Sequence, residues 1–287
     1  MDGDKPADVA VIGAGIVGIC AAACLSEAGH TVTVIDRTGI CEETSSGNAA
    51  AFAFSDVLPL AQKGMLRNLP RWLLDPLGPL AIPPPYLPRL LPWLYRFWRA
   101  GHGGYEDALA AQASLMRLAE AEWMALMQRS GTLSMLREDG SLELYETEAE
   151  FSASLPGWAA RERHGIGFRH VAGAGLAELQ PGLSPRFVKG TFVPGWKTVS
   201  DPMLLGKAIW KYAEGKGATF LKGKVVEAKS SGGGVSIRLE DSRALNPGIL
   251  IVAAGAWSHL WAAPLATPSR SRPSGATTRP FPSRPST

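Results

Sequence analysis

The chain has 287 residues, 46% of them hydrophobic, enough for one large or two modest domains with a sizeable core. Its net charge of +3 comes from the end of the sequence, where Arg270, Arg272, Arg279 and Arg284 follow Leu265 with no acid among them. Without those arginines the charges nearly balance, which argues against a nucleic-acid binder.

The chain carries three cysteines, Cys20, Cys24 and Cys41. Cys20 and Cys24 stand four apart with no further Cys or His at ligand spacing. They read as small buried hydrophobes, and no metal site is expected. No disulfide framework or export is indicated. The polar start, MDGDKPAD, is not a signal peptide, and no run of about 18 apolar residues suggests a spanning helix.

The first 36 residues organise everything else. Residues 9–12, VAVI, form a short β-branched apolar run, the pattern of a buried parallel strand. Gly13-Ala14-Gly15-Ile16-Val17-Gly18 follows at once, then a helix over 19–28 that ends at Gly29. A second strand spans 31–35 and closes on Asp36. This is a βαβ unit with the dinucleotide fingerprint in place. Gly13 allows a tight turn, Gly15 lets a pyrophosphate approach the backbone, and Gly18 lets the helix pack close to the strand. The helix start favours phosphate, and Asp36 can accept hydrogen bonds from ribose hydroxyls.

Residues 37–51, RTGICEETSSGNAAA, are small and polar. They form either a plain loop or the lining of a flat cofactor ring, with Thr44, Ser45, Asn48 and the backbone near Ala49 supplying contacts. Residues 52–101 are apolar, aromatic and proline-rich, and Pro83-Pro84-Pro85 forbids a continuous helix there. A short helix over 87–100 carries Leu90, Trp93 and Phe97 on one side and Arg89, Arg96 and Arg99 on another. It reads as an interfacial membrane helix or as a helix packed on the nucleotide domain, and the prolines favour packing.

Residues 105–129 hold the clearest long helical period, ended by Gly131. A strand is expected at 142–145, after Asp139-Gly140. A second helix over 149–163 is expected to be interrupted at Pro156-Gly157. A strand at 192–196 is expected to end near a pocket. Ser200-Asp201-Pro202 starts a helix running to about Lys216. Residues 218–228 read as a strand pair broken at Gly223, and 235–239 alternate as a strand. Residues 249–253, ILIVA, form a buried strand running into Ala254-Gly255-Ala256-Trp257-Ser258, either a plain strand–helix turn or a second close approach to a cofactor. The five histidines show no ligand or triad spacing, so no catalytic acid or base is assigned. Of residues 266–287, eighteen of twenty-two are Pro, Ser, Arg or Thr. Such a composition buries too little to offset its ordering entropy, so disorder is expected.

Several segments together resemble the FAD-dependent amino-acid oxidoreductases, most closely the D-amino acid dehydrogenase type. They are VIGAGIVG, VTVID, EETSSGNAAAF, WKTVSDP and VAAGAWS, whose order and spacing cover residues 7 to about 265. The resemblance implies FAD rather than NAD. It implies a pyrophosphate held by Gly13, Gly15 and Gly18, with the preceding Ile12 and the intervening Ala14, Ile16 and Val17 also at the cofactor, and an adenosine ribose held by Asp36 beside Arg37. It puts Thr44, Ser45, Asn48 and Ala49 near the flavin ring, the Val226 backbone on adenine, and Ala254 and Gly255 on the cofactor's middle. This chain has Ala50 where such proteins often have glycine.

The implied fold is α/β: a Rossmann-like FAD domain with a parallel sheet over 1–68 and 200–263, and an incomplete mixed α+β substrate domain over 69–199. A disordered tail follows over 264–287. Family members continue well beyond the AGAWS turn with the substrate's carboxylate clamp, and a frameshift near Leu265 or a truncation is expected. The implied reaction is oxidative deamination of a D-amino acid, with electrons passed to a respiratory acceptor. The implied location is cytoplasmic, with peripheral contact at the inner face of the plasma membrane.

Overall fold

The computed structural model describes residues 8–61, 84–231 and 233–261. The expected tail, the first seven residues and Pro83 lie outside them. In chain order the elements are β1 (Val9–Ile12), α1 (Ile16–Glu27), β2 (Val32–Asp36), β3 (Ala51–Phe52), α2 (Leu87–His102), α3 (Tyr105–Arg129), β4 (Leu136–Arg137), β5 (Ser141–Tyr145) and α4 (Glu148–Arg163). They continue with β6 (Arg169–Ala172), α5 (Ala174–Leu179), β7 (Lys189–Val193), β8 (Lys197–Val199), α6 (Pro202–Gly215), β9 (Thr219–Lys222), β10 (Val225–Ser231), β11 (Gly234–Leu239), β12 (Ala244–Leu245) and β13 (Ile249–Val252). Two compact units result: residues 1–46 with 209–287, and residues 47–208.

The first unit is built on a wholly parallel sheet in the order β13-β1-β2-β9. Val9, Ala10, Val11 and Ile12 are all buried, as a central strand covered on both faces requires. From α1, Ile19, Ala22 and Ala23 are buried. Val225, Ile237 and Leu239, from the antiparallel sheet β10-β11-β12, join Ala10, Ile12 and Ile35 in one cluster. The helix after β1 begins at Ile16, three residues earlier than its sequence pattern suggested, so Gly18 is helical.

The second unit holds two antiparallel three-stranded sheets, β3-β8-β4 and β5-β7-β6. Val57, Leu109, Ala113 and Ala160 form a core between loop and helices. A polar network runs beside it: Trp158 Nε1 donates to the Tyr145 hydroxyl at 2.7 Å, and His170 Nδ1 lies 2.8 Å from Thr191 Oγ1. Thr191 is fully buried, so these hydroxyls need each other.

Three expectations need correction. Helix α4 is continuous, with Pro156 inside it. Thr147 caps its start by accepting from the Glu150 N–H at 3.1 Å, and buried Phe151 and Trp158 anchor it on both sides of the proline. Those anchors offset the one backbone bond that proline removes. The strands flanking Gly223 do not pair with each other: β9 joins the parallel sheet and β10 the antiparallel one. Of the two cysteines expected to be buried, Cys24 is exposed and Cys20 half-buried; Cys41, for which no burial was expected, is buried. Helix α1 turns only part of its small-residue face inward.

Ala50 has φ 56°. That is the left-handed region, where a Cβ is strained.

Candidate functional site

A cavity of about 520 Å³ opens in the first unit. It lies outside the carboxyl ends of the four parallel strands, where open α/β sheets bind ligands. Each strand contributes the residues that follow it: Gly13 after β1, Asp36 and Arg37 at the end of β2, Gly223 after β9, and Ala253 to Gly255 after β13.

The floor is a set of backbone approaches that tolerate no side chain. Gly13 has φ +108°, and a Cβ there would stand 2.4 Å from the Ala253 carbonyl oxygen. A Cβ on Gly18 would stand 1.9 Å from the Gly13 carbonyl oxygen. Backbone cannot retreat as a flexible side chain can, so both positions require glycine. The Gly13 N–H donates to the Ile35 carbonyl at 2.8 Å, and the Ala253 N–H donates to the Ile12 carbonyl at 2.8 Å. The loop is therefore tied to both neighbouring strands.

Asp36 braces the same loop. Its Oδ2 accepts from the Ala14 N–H at 2.8 Å, and its Oδ1 accepts from the N–H and hydroxyl of Thr38, each at 2.9 Å. A carboxylate oxygen has further lone pairs, so it can still accept from a ligand hydroxyl. Ser45 reaches back from the following loop, and its Oγ accepts from the Ile16 N–H at 3.0 Å. It thereby serves the start of α1, whose capping residue Gly15 has no side chain to offer. Val17, in the first turn, is 68% exposed and lines the cavity.

One wall combines charge and an aromatic ring. Arg37 donates to Glu43 through Nε at 2.7 Å and Nη2 at 2.8 Å, and its guanidinium lies 4.4 Å from the centre of the Trp257 ring. The Glu43 carboxylate raises Arg37 further above its ordinary value. Burial, helped by Cys24 and Cys41, pushes the Cys20 thiol up to about 12, so it stays protonated at neutral pH. Among the described residues, no three His, Cys, Asp or Glu side chains could hold a metal ion.

Of the residues singled out from sequence, Ile12 to Val17, Asp36, Arg37, Thr44, Ser45, Ala254 and Gly255 meet at this cavity. Gly18 lies beneath it in α1 and acts through packing. Val226 is not among the lining residues; its neighbours Gly223, Lys224 and Val225 are. Asn48 and Ala49 belong to the second unit, where Asn48 Oδ1 accepts from the Ala50 N–H at 2.8 Å. Sequence reading missed Lys224, Cys41, Glu43 and Trp257 as lining residues. The break at Gly223, just after a strand, was the one usable signal for Lys224.

The glycine cradle, the helix start and the carboxylate at the end of β2 suit a dinucleotide. The DAO family profile, described as FAD dependent oxidoreductase, matches residues 8–285. The chain is 30% identical over 254 residues to a D-amino-acid oxidase of Bradyrhizobium diazoefficiens, covering 87% of this chain and 60% of that protein. It is 30% identical over 260 residues to a D-amino acid dehydrogenase of Rhizobium rhizogenes, covering 88% and 62%. The chain thus spans about 60% of the length of these curated relatives. Glycine oxidase from Geobacillus kaustophilus shares the fold with a TM-score of 0.62 at 20% identity, over 90% of this chain and 58% of that one. L-alpha-glycerophosphate oxidase from Mycoplasma pneumoniae, solved with FAD bound, does so with a TM-score of 0.65 at 15% identity, over 91% and 57%. With a profile match along nearly its whole length, this chain belongs to the DAO family of FAD-dependent oxidoreductases.

Proposed function

We propose that the cavity at the ends of β1, β2, β9 and β13 holds FAD, and that the chain is the flavin-binding part of an oxidoreductase acting on D-amino acids. The observation that carries this is the cradle in which Gly13 and Gly18 touch backbone while Asp36 and Ser45 fasten the loop between them. We assign the pyrophosphate to Gly13, Ala14 and Gly15 and the start of α1, with Ile12, Ile16 and Val17 beside it. Asp36 and Arg37 take the adenosine ribose end. Thr44, Ser45, Asn48 and Ala49 are assigned to the flavin side, Val226 to adenine, and Ala254 and Gly255 to the middle of the cofactor.

Bound flavin supplies the hydride acceptor for oxidation of the amino acid to an imino acid, which water converts to a 2-oxo acid and ammonia. The chain's own residues bind and orient; none is assigned as acid or base. The D-amino acid class is supported by the names of the two curated relatives. We further assign the electrons to a respiratory acceptor and the protein to the cytoplasmic side, in peripheral contact with the plasma membrane. No described helix is long and apolar enough to cross one.

A second reading is flavin binding without turnover, since none of the residues lining the cavity is assigned as acid, base or substrate clamp. Calorimetric titration with FAD and dye reduction by D-alanine separate the two. Retained flavin with reduction supports the enzyme. Retained flavin without reduction supports the second reading. A folded protein that retains no FAD overturns both.

A further inference from the structure

A contact between residues far apart in sequence crosses the cavity. β2 and β13 flank β1 on opposite sides, so Arg37, just past β2, and Trp257, shortly after β13, meet across the carboxyl end of β1. The Arg37 guanidinium lies 4.4 Å from the centre of the Trp257 ring, and both residues line the cavity. The Gly13 turn leaves β1 between them. A ligand lying on that turn has this bridge beside it.

The two ends of the bridge are held differently. Arg37 gives its edge to Glu43, through Nε and Nη2, and its face to the indole. A planar cation can use edge and face at once. The loop from Arg37 to Glu43 is itself pinned: buried Cys41, at φ 56°, donates its N–H to the Ala14 carbonyl at 2.9 Å. Trp257 has no such base. It ends a single 3-10 turn, Gly255–Trp257, and is 41% exposed. Gly255 before it has φ 55°, and a Cβ there would meet nothing within 4 Å. The arginine side is fixed, and the tryptophan side has room to swing.

We propose that the Arg37–Trp257 contact is a strap over the cofactor cavity: Trp257 swings away for FAD to enter or leave and closes again over the bound molecule. The strap rests on the flavin reading but gives Trp257 a different task, retention and exchange, from that of the residues assigned to bind. The Arg37 and Glu43 side chains are 43% and 31% exposed, so solvent screens the pair. The strap therefore sets rates more than affinity. Removing a gate speeds passage in both directions, whereas removing a ligand contact speeds release alone.

The test is stopped-flow mixing of the flavin-free chain with FAD, followed by displacement of the bound flavin. W257A is expected to raise the association and dissociation rates together, each about fivefold, the worth of one exposed cation–π contact. Kd then stays within about twofold, since the two rates move together. W257F keeps a ring face and is expected to stay near the parental rates. E43Q frees the edge of Arg37 and is expected to raise both rates about twofold. Faster release with unchanged association, parental rates in a folded W257A, or W257F matching W257A overturns the proposal. Circular dichroism reports folding. A second measurement needs no flavin: acrylamide quenching of Trp257, taken as the difference between a chain and its W257F variant. E43Q is expected to make Trp257 more quenchable, and unchanged quenching overturns the strap. A folded parental chain that takes up no FAD while E43Q exposes Trp257 loses the flavin reading and keeps the bridge.

Discussion

The two units use glycine for different ends. In the first unit, a Cβ on Gly13 or Gly18 would meet backbone oxygen, at 2.4 and 1.9 Å. In the second, a Cβ on Gly190 would meet first the ends of Leu176 and Leu142, at 2.8 and 3.0 Å. Side-chain ends can turn aside, whereas a carbonyl in a paired strand or a loop tied at both sides cannot. The first unit is therefore stiff at Gly13 and Gly18, whereas the second keeps ordinary packing tolerance at Gly190.

Four substitutions sharpen or break that contrast, in falling order of effect. Gly18→Val is expected to cost more than about 4 kcal/mol, because helix α1 must move off the β1 loop. Thermal unfolding should show the loss and calorimetry the disappearance of FAD binding; a stable, flavin-retaining variant would refute the stiff cradle. Asp36→Ala removes the acceptor for the Ala14 and Thr38 N–H groups, at about 2 kcal/mol. FAD affinity should drop at least tenfold, and unchanged affinity would remove Asp36 from the site. Gly190→Ala is expected to cost about 1–2 kcal/mol through displaced leucines, with FAD affinity intact. A larger cost than that of Gly18→Val would reverse the comparison. Ala50→Gly should stabilise by up to ~1 kcal/mol, since relief of the left-handed strain outweighs the entropy glycine adds to the unfolded chain. Denaturant unfolding measures the sign directly, and destabilisation would mean that the Ala50 methyl packs usefully.

How far the site could be read in advance depended on the sequence separation of its parts. Gly13, Gly15, Gly18 and Asp36 fall within one local pattern of strand, turn, helix and strand, and all but Gly18 reach the cavity. Ser45 was recognised as a polar loop residue, but its bond to the Ile16 N–H spans 29 positions and leaves no periodic trace. Trp257 and Arg37 meet from opposite ends of the chain. Helix α3 forms where its apolar period places it, with Leu109 and Leu126 buried, but Leu115 and Leu118 of the same period are exposed. Helix α4 departs from its expected break, because proline is judged locally while its anchors are tertiary.

By itself the sequence determined the nucleotide half-site. A β-branched run must be buried, a glycine turn must follow it, and a carboxylate must end the next strand, each a consequence of neighbours within about thirty residues. Only the tertiary structure decided that β9 and β10 part into separate sheets at Gly223, that Lys224 and Trp257 face the same cavity as Gly13, and that α2 leaves Leu91, Tyr95 and Trp98 exposed. Those outcomes depend on which surfaces meet in space, and short strands and an arginine-bearing helix look alike in sequence whether or not something covers them.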